Sequence, residues 1–355
     1  MRPDALELDE TPPRPPAQLN LAALDRDAVL LALTGGSVVD WTGLSFRTLD
    51  DVDRFLQLWL VDVRNEAWAK ERLTYVYNEA VNYLEEHVGL TFRPEVRRPD
   101  DVREAFLRAS VRGSFSRARI QSCAILKLMH VINHLEMQEL RAQTGFREID
   151  LIDLASEKVV DAATRMRDEG LPIVAFYGNR KTRPSVITKL LAKREATAAT
   201  IFDKLRFRIV TETRADVVPV LAWMLRHLLP FPCVIPGESH QNLLSEAELA
   251  DVLAQQPELR NILRPGSANG NDHSGASYRV VNFIADLPVR VYDLPGTTLP
   301  RHRALLGETV CVMVEFQLVD EATARTNESG DNRHDAYKTR QRAKVLARLG
   351  RTPAG

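Results

Sequence analysis

Residues 172–210, PIVAFYGNRKTRPSVITKLLAKREATAATIFDKLRFRIV, constrain the fold more than any other stretch. An apolar run from Ile173 to Tyr177 ends in a glycine and a basic turn, Gly178-Asn179-Arg180-Lys181-Thr182-Arg183-Pro184. Ser185 opens an amphipathic stretch bearing Lys189 and Lys193, and a second apolar segment follows with one early carboxylate, Asp203. This order predicts strand, phosphate-facing turn, helix, strand. Backbone N–H groups and the helix dipole favour anions at a helix N-terminus, and the neighbouring cations add to that preference. The carboxylate can hold a divalent cation. Together the two halves point to a nucleotide polyphosphate site.

At 355 residues the chain exceeds one ordinary core, so two domains are expected. Residues 1–18, with the PPRPP cluster at 12–16, cannot bury apolar surface and read as a flexible leader. A helical domain over 19–150 and a second domain over 151–355 follow. The 47 lysines and arginines nearly cancel the 48 aspartates and glutamates, leaving a net charge of -1. Any nucleic-acid or phosphate site must therefore be local. Cys123, Cys233 and Cys311 lie far apart in apolar surroundings and read as free thiols of a reducing compartment. No apolar run is long enough to span a bilayer, and the acidic, proline-rich start lacks a signal-peptide core. A cytoplasmic protein with no membrane partner is expected.

Helical periodicity dominates the first half. Val52, Phe55, Leu56, Trp59 and Leu60 recur at helical steps, as do Tyr75, Val76, Ala80, Tyr83 and Leu84. Thr48, with Asp51 three residues on, resembles a capping box. Arginines 97, 98, 103, 108, 112, 117 and 119 suggest an arginine-rich helix that could meet a polyanion, although interleaved Asp100, Asp101 and Glu104 favour a solvated, self-paired face. His130 and His134 share a helix face, but no glutamate follows His130 as in a zinc-protease motif. Helix-packing histidines are the better reading.

Residues 151–168 read as a helix closed by Gly170 and Pro172. Strand-type runs then appear at 172–177, 205–211, 278–285, 288–292 and 309–318, with helical stretches at 185–194, 214–229 and 245–256. This alternation predicts a mixed sheet covered by helices, with a hairpin turn at Asp286-Leu287. The Gly/Ser/Asn-rich segment 264–277 is expected to be a loop beside the substrate. In the last strand Glu315 and Gln317 interrupt an apolar run and point to one face. A buried charge is costly unless paired or metal-bound, so Asp203 and Glu315 are natural partners. The open alternative is that each is a lone carboxylate at a strand end in solvent.

The order of these features resembles the synthetase domain of the RelA/SpoT family, which makes the alarmones (p)ppGpp. Lys181 matches the lysine of the basic turn, and Ser185 and Lys189 match Ser-Ile-x-x-Lys with Val186 for the isoleucine. Ile201 to Arg208 resembles Ile-Tyr-Asp-Leu-Leu-Ala-Val-Arg, Tyr278 the tyrosine that stacks on the acceptor guanine, and Glu315 with Gln317 the Glu-Val-Gln-Ile-Arg-Thr strand. His334 to Lys338 resembles the closing His-x-x-Tyr-Lys. The chain departs from the pattern at four places. Asn179 replaces the arginine expected on the ATP adenine, with Arg180 beside it, and Asn282 replaces a histidine. The lysine-rich acceptor loop gives way to an insertion, 236–276, with Arg260 and Arg264. Val319-Asp320 ends the last motif without its Arg-Thr.

The resemblance implies an α+β chain, a helical N-terminal domain followed by a mixed-sheet nucleotidyltransferase-like domain. It implies Mg²⁺-dependent transfer of pyrophosphate from ATP to the 3′-hydroxyl of a guanine nucleotide. Asp203 and Glu315 would hold the Mg²⁺, and Glu315 and Gln317 would complete the catalytic strand. Lys181, Arg183 and Lys189 would clamp phosphates, with Arg180, Ser185, Arg208, Tyr278 and Asn282 completing the nucleotide site. Two other readings stay open: transfer to the 3′ end of a tRNA, as in toxin relatives, or a non-catalytic nucleotide-binding or structural module. The helical half lacks a hydrolase metal constellation, so no alarmone hydrolysis is expected.

Overall fold

A computed structural model describes residues 23–34, 46–110, 116–192, 204–235, 237–245, 247–250, 278–292 and 306–328, with isolated positions 345, 346 and 349. Helices come first: α1 (Ala23–Thr34), α2 (Leu49–Leu58), α3 (Ala67–Glu86), α4 (Pro94–Arg97), α5 (Glu104–Ala109), α6 (Arg117–Thr144) and α7 (Glu148–Asp168). The capping box at α2 is present: Asp51 N donates to Thr48 Oγ1 at 3.1 Å, and Thr48 N donates to Asp51 Oδ2 at 3.0 Å. The α2 periodicity stops short of Leu60, which takes a φ of 63°. Its carbonyl is held by Arg290 Nη2 at 3.1 Å. Gly170, at φ 82°, follows α7 where the helix stop was expected.

The second half supplies β1 (Ile173–Arg180), α8 (Arg183–Ala192), β2 (Leu205–Thr211), α9 (Val217–His227), β3 (His240–Gln241), β4 (Val281–Arg290), β5 (Thr309–Asp320) and α10 (Glu321–Asn327). The strands form a mixed sheet in the order β1-β2-β5-β4-β3, with β2 and β5 parallel and the other pairs antiparallel. Alternate residues face opposite sides of a strand, and the two faces differ sharply. Phe176, Phe207, Phe316 and Phe283, one from each of four neighbouring strands, stack across the apolar face with ring centroids 5.3, 6.2 and 5.3 Å apart. All four are buried. They belong to one continuous core that also takes in Val29 of α1, Tyr77 of α3 and Leu126 of α6.

Two expectations need correction. Gly178 is not the start of a turn, because β1 runs on to Arg180. A Cβ there would come within 3.0 Å of the Phe207 ring, so a larger residue would press on that ring. Nor do Asp286 and Leu287 form a hairpin; both lie inside β4, paired with Met313 and Val312 of β5. Pro288, inside the same strand, is tolerated because of the side its missing donor faces. In an antiparallel ladder a residue's N–H and C=O point the same way. The Pro288 carbonyl accepts from Lys158 Nζ at 2.7 Å, so the absent N–H also points away from β5.

The other face of the sheet is closed at one end by α10. Asp320 caps that helix, accepting from Thr323 N at 3.1 Å. Val210, Val280 and Val319 form a small second core there, joined by Ala175, Tyr278 and Ala324. At the other end α6 approaches, with His134 Nδ1 4.0 Å from Asp286 Oδ2 and Met137 Sδ 3.4 Å from Cys311 Sγ. A polar floor lies between them. The cysteines are free, Cys123 and Cys233 buried and Cys311 half-buried. Among the described residues no helix is long and apolar enough to cross a membrane.

Candidate active site on the polar face of the sheet

Strand register assembles this floor. Opposed residues on neighbouring strands share a face, so Tyr177, Arg208, Gln317, Asn282 and His240 form one row across the whole sheet. One step along, Asn179, Arg206, Glu315 and Ile284 form a second. Residues 109 positions apart are thereby brought into hydrogen-bond contact.

Glu315 is 7% exposed and Gln317 6%. A carboxylate so placed requires partners, and it has them. Arg206 Nε donates to Glu315 Oε2 at 2.8 Å, and Gln317 Nε2 donates to Glu315 Oε1 at 3.0 Å. Gln317 Nε2 also reaches Asn282 Oδ1 at 3.3 Å. Arg208 Nη2 donates to Gln317 Oε1 at 3.1 Å and to Tyr278 Oη at 3.2 Å, while its Nη1 lies 3.8 Å from Glu328. Glu315, Gln317, Arg208, Tyr278 and Asn282 are thus one network. Asp203, the expected partner of Glu315, lies outside the described residues, and the partner seen is Arg206.

The backbone around Tyr278 is held by two asparagines. Asn242 Nδ2 donates to the Tyr278 carbonyl at 2.8 Å, and Val280 N donates to Asn242 Oδ1 at 2.7 Å. Asn327 accepts from Arg279 N at 3.0 Å and donates to its carbonyl at 2.7 Å. These amides stand in for a neighbouring strand, so the phenol projects from a fixed backbone.

The basic side of the site is assembled in part. Lys181 N donates to the Lys204 carbonyl at 2.9 Å, ending the β1–β2 ladder, and α8 begins at Arg183 with Pro184 in its first turn. Pro is suited to that position. A cation there opposes the helix dipole unless an anion is bound in front of it. Arg183 and Ser185 are exposed, and the Ser185 hydroxyl lies 3.1 Å from that of Thr182. Lys189 lies two turns into α8; its side chain is outside the described residues. Arg180 is turned from the polar face and pairs with Asp153 of α7. The closing segment 334–338, Lys193, the loop 264–277, the leader and Arg260 with Arg264 also lie outside the described residues, and the stretch 245–256 is described only as far as 250.

Arg206, His240, Asn242 and Asn327 were not singled out by the sequence. Arg206 had a usable signal, since it alternates with Leu205, Phe207 and Ile209 and must share a face with Arg208. His240 lies in the stretch read as an insertion, and its strand has only two residues, too few for a period. Its buried Nδ1 has no hydrogen-bond partner, and burial lowers its pKa.

The paired histidines of α6 and five arginines of the arginine-rich segment have structural partners. His130 and His134 stack on each other with ring centroids 4.3 Å apart and on Trp59 at 5.5 and 5.7 Å. Burial, and then the neighbouring His134, push the His130 pKa down to about 3, and burial lowers that of His134. The arginine-rich segment is not one helix; it is divided among α4, α5 and the start of α6. Arg97 pairs with Glu85, Arg103 with Asp53 and Asp101, and Arg108 with Glu104. Arg117 and Arg119 donate to Thr91 and to the Ala109 carbonyl.

The polar face offers oxygen donors: the Glu315 carboxylate and the amide oxygens of Gln317 and Asn282. Such hard donors suit Mg²⁺, which takes one or two carboxylates and completes its shell with water and substrate phosphate. Among the described residues no three His, Cys, Asp or Glu side chains gather as a metal site. Glu315 therefore fits the cation as one ligand among others supplied by substrate.

No family profile matches the chain, and no curated protein matches it. Among solved structures it is similar to the small alarmone synthetase 1 from Bacillus subtilis bound to its product pppGpp. That match has a TM-score of 0.31 and 16% identity and covers 62% of this chain and 88% of the other. The small alarmone synthetase 2 from Bacillus subtilis has a TM-score of 0.30 at 14% identity, over 57% and 96%. A GTP pyrophosphokinase family protein from Streptococcus pneumoniae has 0.29 at 12%, over 57% and 84%. At TM-scores this low the likeness carries no functional weight.

Proposed function

We propose that the chain transfers a pyrophosphate group from ATP to the 3′-hydroxyl of a guanine nucleotide, with Mg²⁺. One observation carries this reading. Arg208, Tyr278, Glu315 and Gln317, which the RelA/SpoT resemblance matches in separate segments, form a single hydrogen-bonded network on the polar face, and Asn282, at a position where the chain departs from that pattern, joins it.

In the reaction the acceptor 3′-oxygen attacks the β-phosphorus, the bond from that phosphorus to the α,β-bridging oxygen breaks, and AMP leaves. Glu315 takes the hydroxyl proton, for which it must come within hydrogen-bond reach of the acceptor. Lys181, Arg183 and Lys189 bind the polyphosphate beside the α8 N-terminus, where charge-assisted contacts fix its line of transfer. Arg208 ties Tyr278 to Gln317, so the platform for the acceptor base is coupled to the catalytic strand. Bound Mg²⁺ would offset charge on the phosphate oxygens, with Asp203 and Glu315 as its protein ligands.

A second reading, a nucleotide-binding module that performs no transfer, has one observation in its favour: both Glu315 oxygens are already engaged. The tRNA reading loses its arginine motive, since the described arginines of 97–119, Arg98 aside, are matched to acids or to Thr91 and the Ala109 carbonyl.

The base platform is testable alone. Stacking of a base on an aromatic side chain contributes ~1–3 kcal/mol. Calorimetric titration of Tyr278→Ala should therefore show GDP binding weakened about tenfold or more, with binding of a non-hydrolysable ATP analogue unchanged. Equal weakening of both, or of neither, contradicts the placement of the acceptor at Tyr278.

A further inference from the structure

We infer that Arg206 is a substrate-operated cap on Glu315. Its guanidinium closes the carboxylate in the free protein and moves onto phosphate oxygens when a polyphosphate binds, opening Glu315 to a divalent cation. The inference rests on the reading above that a polyphosphate nucleotide occupies the polar face.

The geometry places the acid inside and the cation outside. Arg206 Nε sits 2.8 Å from Glu315 Oε2, and the side chains are 34% and 9% exposed respectively. Gln317 donates to the second oxygen at 3.0 Å, and the guanidinium charge at Oε2 repels a divalent ion, so the carboxylate becomes a favourable ligand when Arg206 withdraws. On its other side Arg206 faces Asn179 across the β1–β2 ladder, a neutral neighbour at the edge leading to Lys181 and α8. Arg206 therefore lies between the carboxylate and the basic turn where phosphates would sit.

The exchange has a physical direction. A guanidinium binds phosphate through paired, charge-assisted hydrogen bonds, and a polyphosphate brings several negative charges where Glu315 brings one. Glu315, once uncovered, is a buried charge without its cation partner, which is costly; a divalent ion relieves that cost. Nucleotide and cation then bind with positive coupling, and such coupling is reciprocal. The motif this stretch resembles has alanine at this place, so the cap is a feature of this chain.

The test separates the cap from the activity. Free Mn²⁺ is measured by electron paramagnetic resonance on the full chain without nucleotide, for wild type, Arg206→Gln, Arg206→Lys and Arg206→Gln/Glu315→Gln. Binding of a non-hydrolysable ATP analogue is measured separately in EDTA. A hydrogen bond to a charged group contributes enough to move affinity about tenfold. Arg206→Gln should thus bind Mn²⁺ about tenfold more tightly than wild type and the analogue about tenfold more weakly. Arg206→Lys should keep the wild-type Mn²⁺ affinity, and Glu315→Gln should cancel the gain. Circular-dichroism melting checks that each variant is folded. Unchanged Mn²⁺ affinity in folded Arg206→Gln overturns the cap and leaves the transfer reading standing. Failure of wild type to bind the analogue at all overturns both.

Discussion

Glu315→Gln should lower pyrophosphate transfer by about 10²–10⁴-fold, the range for loss of a positioned general base, while the protein stays folded. Glutamine keeps the size of the side chain and an oxygen to accept from Arg206 Nε or from Gln317 Nε2, both within 3.0 Å of the native carboxylate. What it loses is the charge, and with it the ability to take a proton or ligate a divalent cation. The acid of this ion pair is buried and only Arg206 is part-exposed, so the melting midpoint should fall while the folded baseline persists at the assay temperature. Initial rates with labelled ATP and GDP, read beside a melting curve, check both halves. Wild-type turnover in Glu315→Gln removes the mechanism. Asp203→Asn should act in the same direction.

Asp286→Asn should stabilise the protein by about 2 kcal/mol at pH 7.5 and by nothing at pH 4. Burial raises the Asp286 pKa from 3.8 to about 6, against the pull of Arg141. An acid with a raised folded-state pKa favours folding most when protonated, and stability is lost as pH rises from about 4 through 6. At 1.36 kcal/mol per unit the loss approaches ~3 kcal/mol, and the 28% exposure of the side chain reduces it. His130 acts in the opposite sense. Its folded pKa of about 3 lies below the ordinary histidine value of 6.5, so the stability present above pH 6.5 is lost as pH falls toward 3. The two slopes nearly cancel between pH 6 and 4 in the native chain. Burial lowers the pKa of His134, His227 and His240 as well, so wild type also loses stability toward acid, and denaturant titrations of Asp286→Asn should show a steeper loss from pH 6.5 to 4 than wild type. Equal stability of the two proteins at pH 7.5 would contradict this.

The elements whose hydrophobic pattern settles their form were readable in advance. β2 was read with its observed bounds because Leu205, Phe207 and Ile209 alternate with arginines, and the α2 cap because Thr48 and Asp51 sit at the required spacing. The misreadings arose where a residue answers to something distant. Gly178 looked like punctuation, yet it makes room for Phe207 of the next strand. The gap between the runs 278–285 and 288–292 reads as a turn at Asp286-Leu287, yet a half-polar face tolerates the acid and Lys158 meets the Pro288 carbonyl, so one strand continues through it.

The same limit governs the site. Tyr278, Glu315, Gln317, Arg208 and Asn282 were named one segment at a time, and strand register alone puts them in contact. Arg206 went unnoticed because its role depends on the residue opposite it, 109 positions away. Arg180 was expected at the nucleotide, but strand alternation puts it with Phe176 on the other face, where Asp153 takes it. Asn242 and Asn327 act on backbone groups near Tyr278 and leave no pattern in a single sequence.

The most direct measurement is transfer itself. Purified protein is incubated with Mg²⁺, ATP labelled at the β-phosphate, and GDP or GTP, with and without total tRNA, and the products are separated. Label leaving ATP and appearing in a guanosine tetra- or pentaphosphate, with AMP formed in equal amount, is the result predicted. Label entering only tRNA, or no transfer under conditions where the ATP analogue binds, would contradict it.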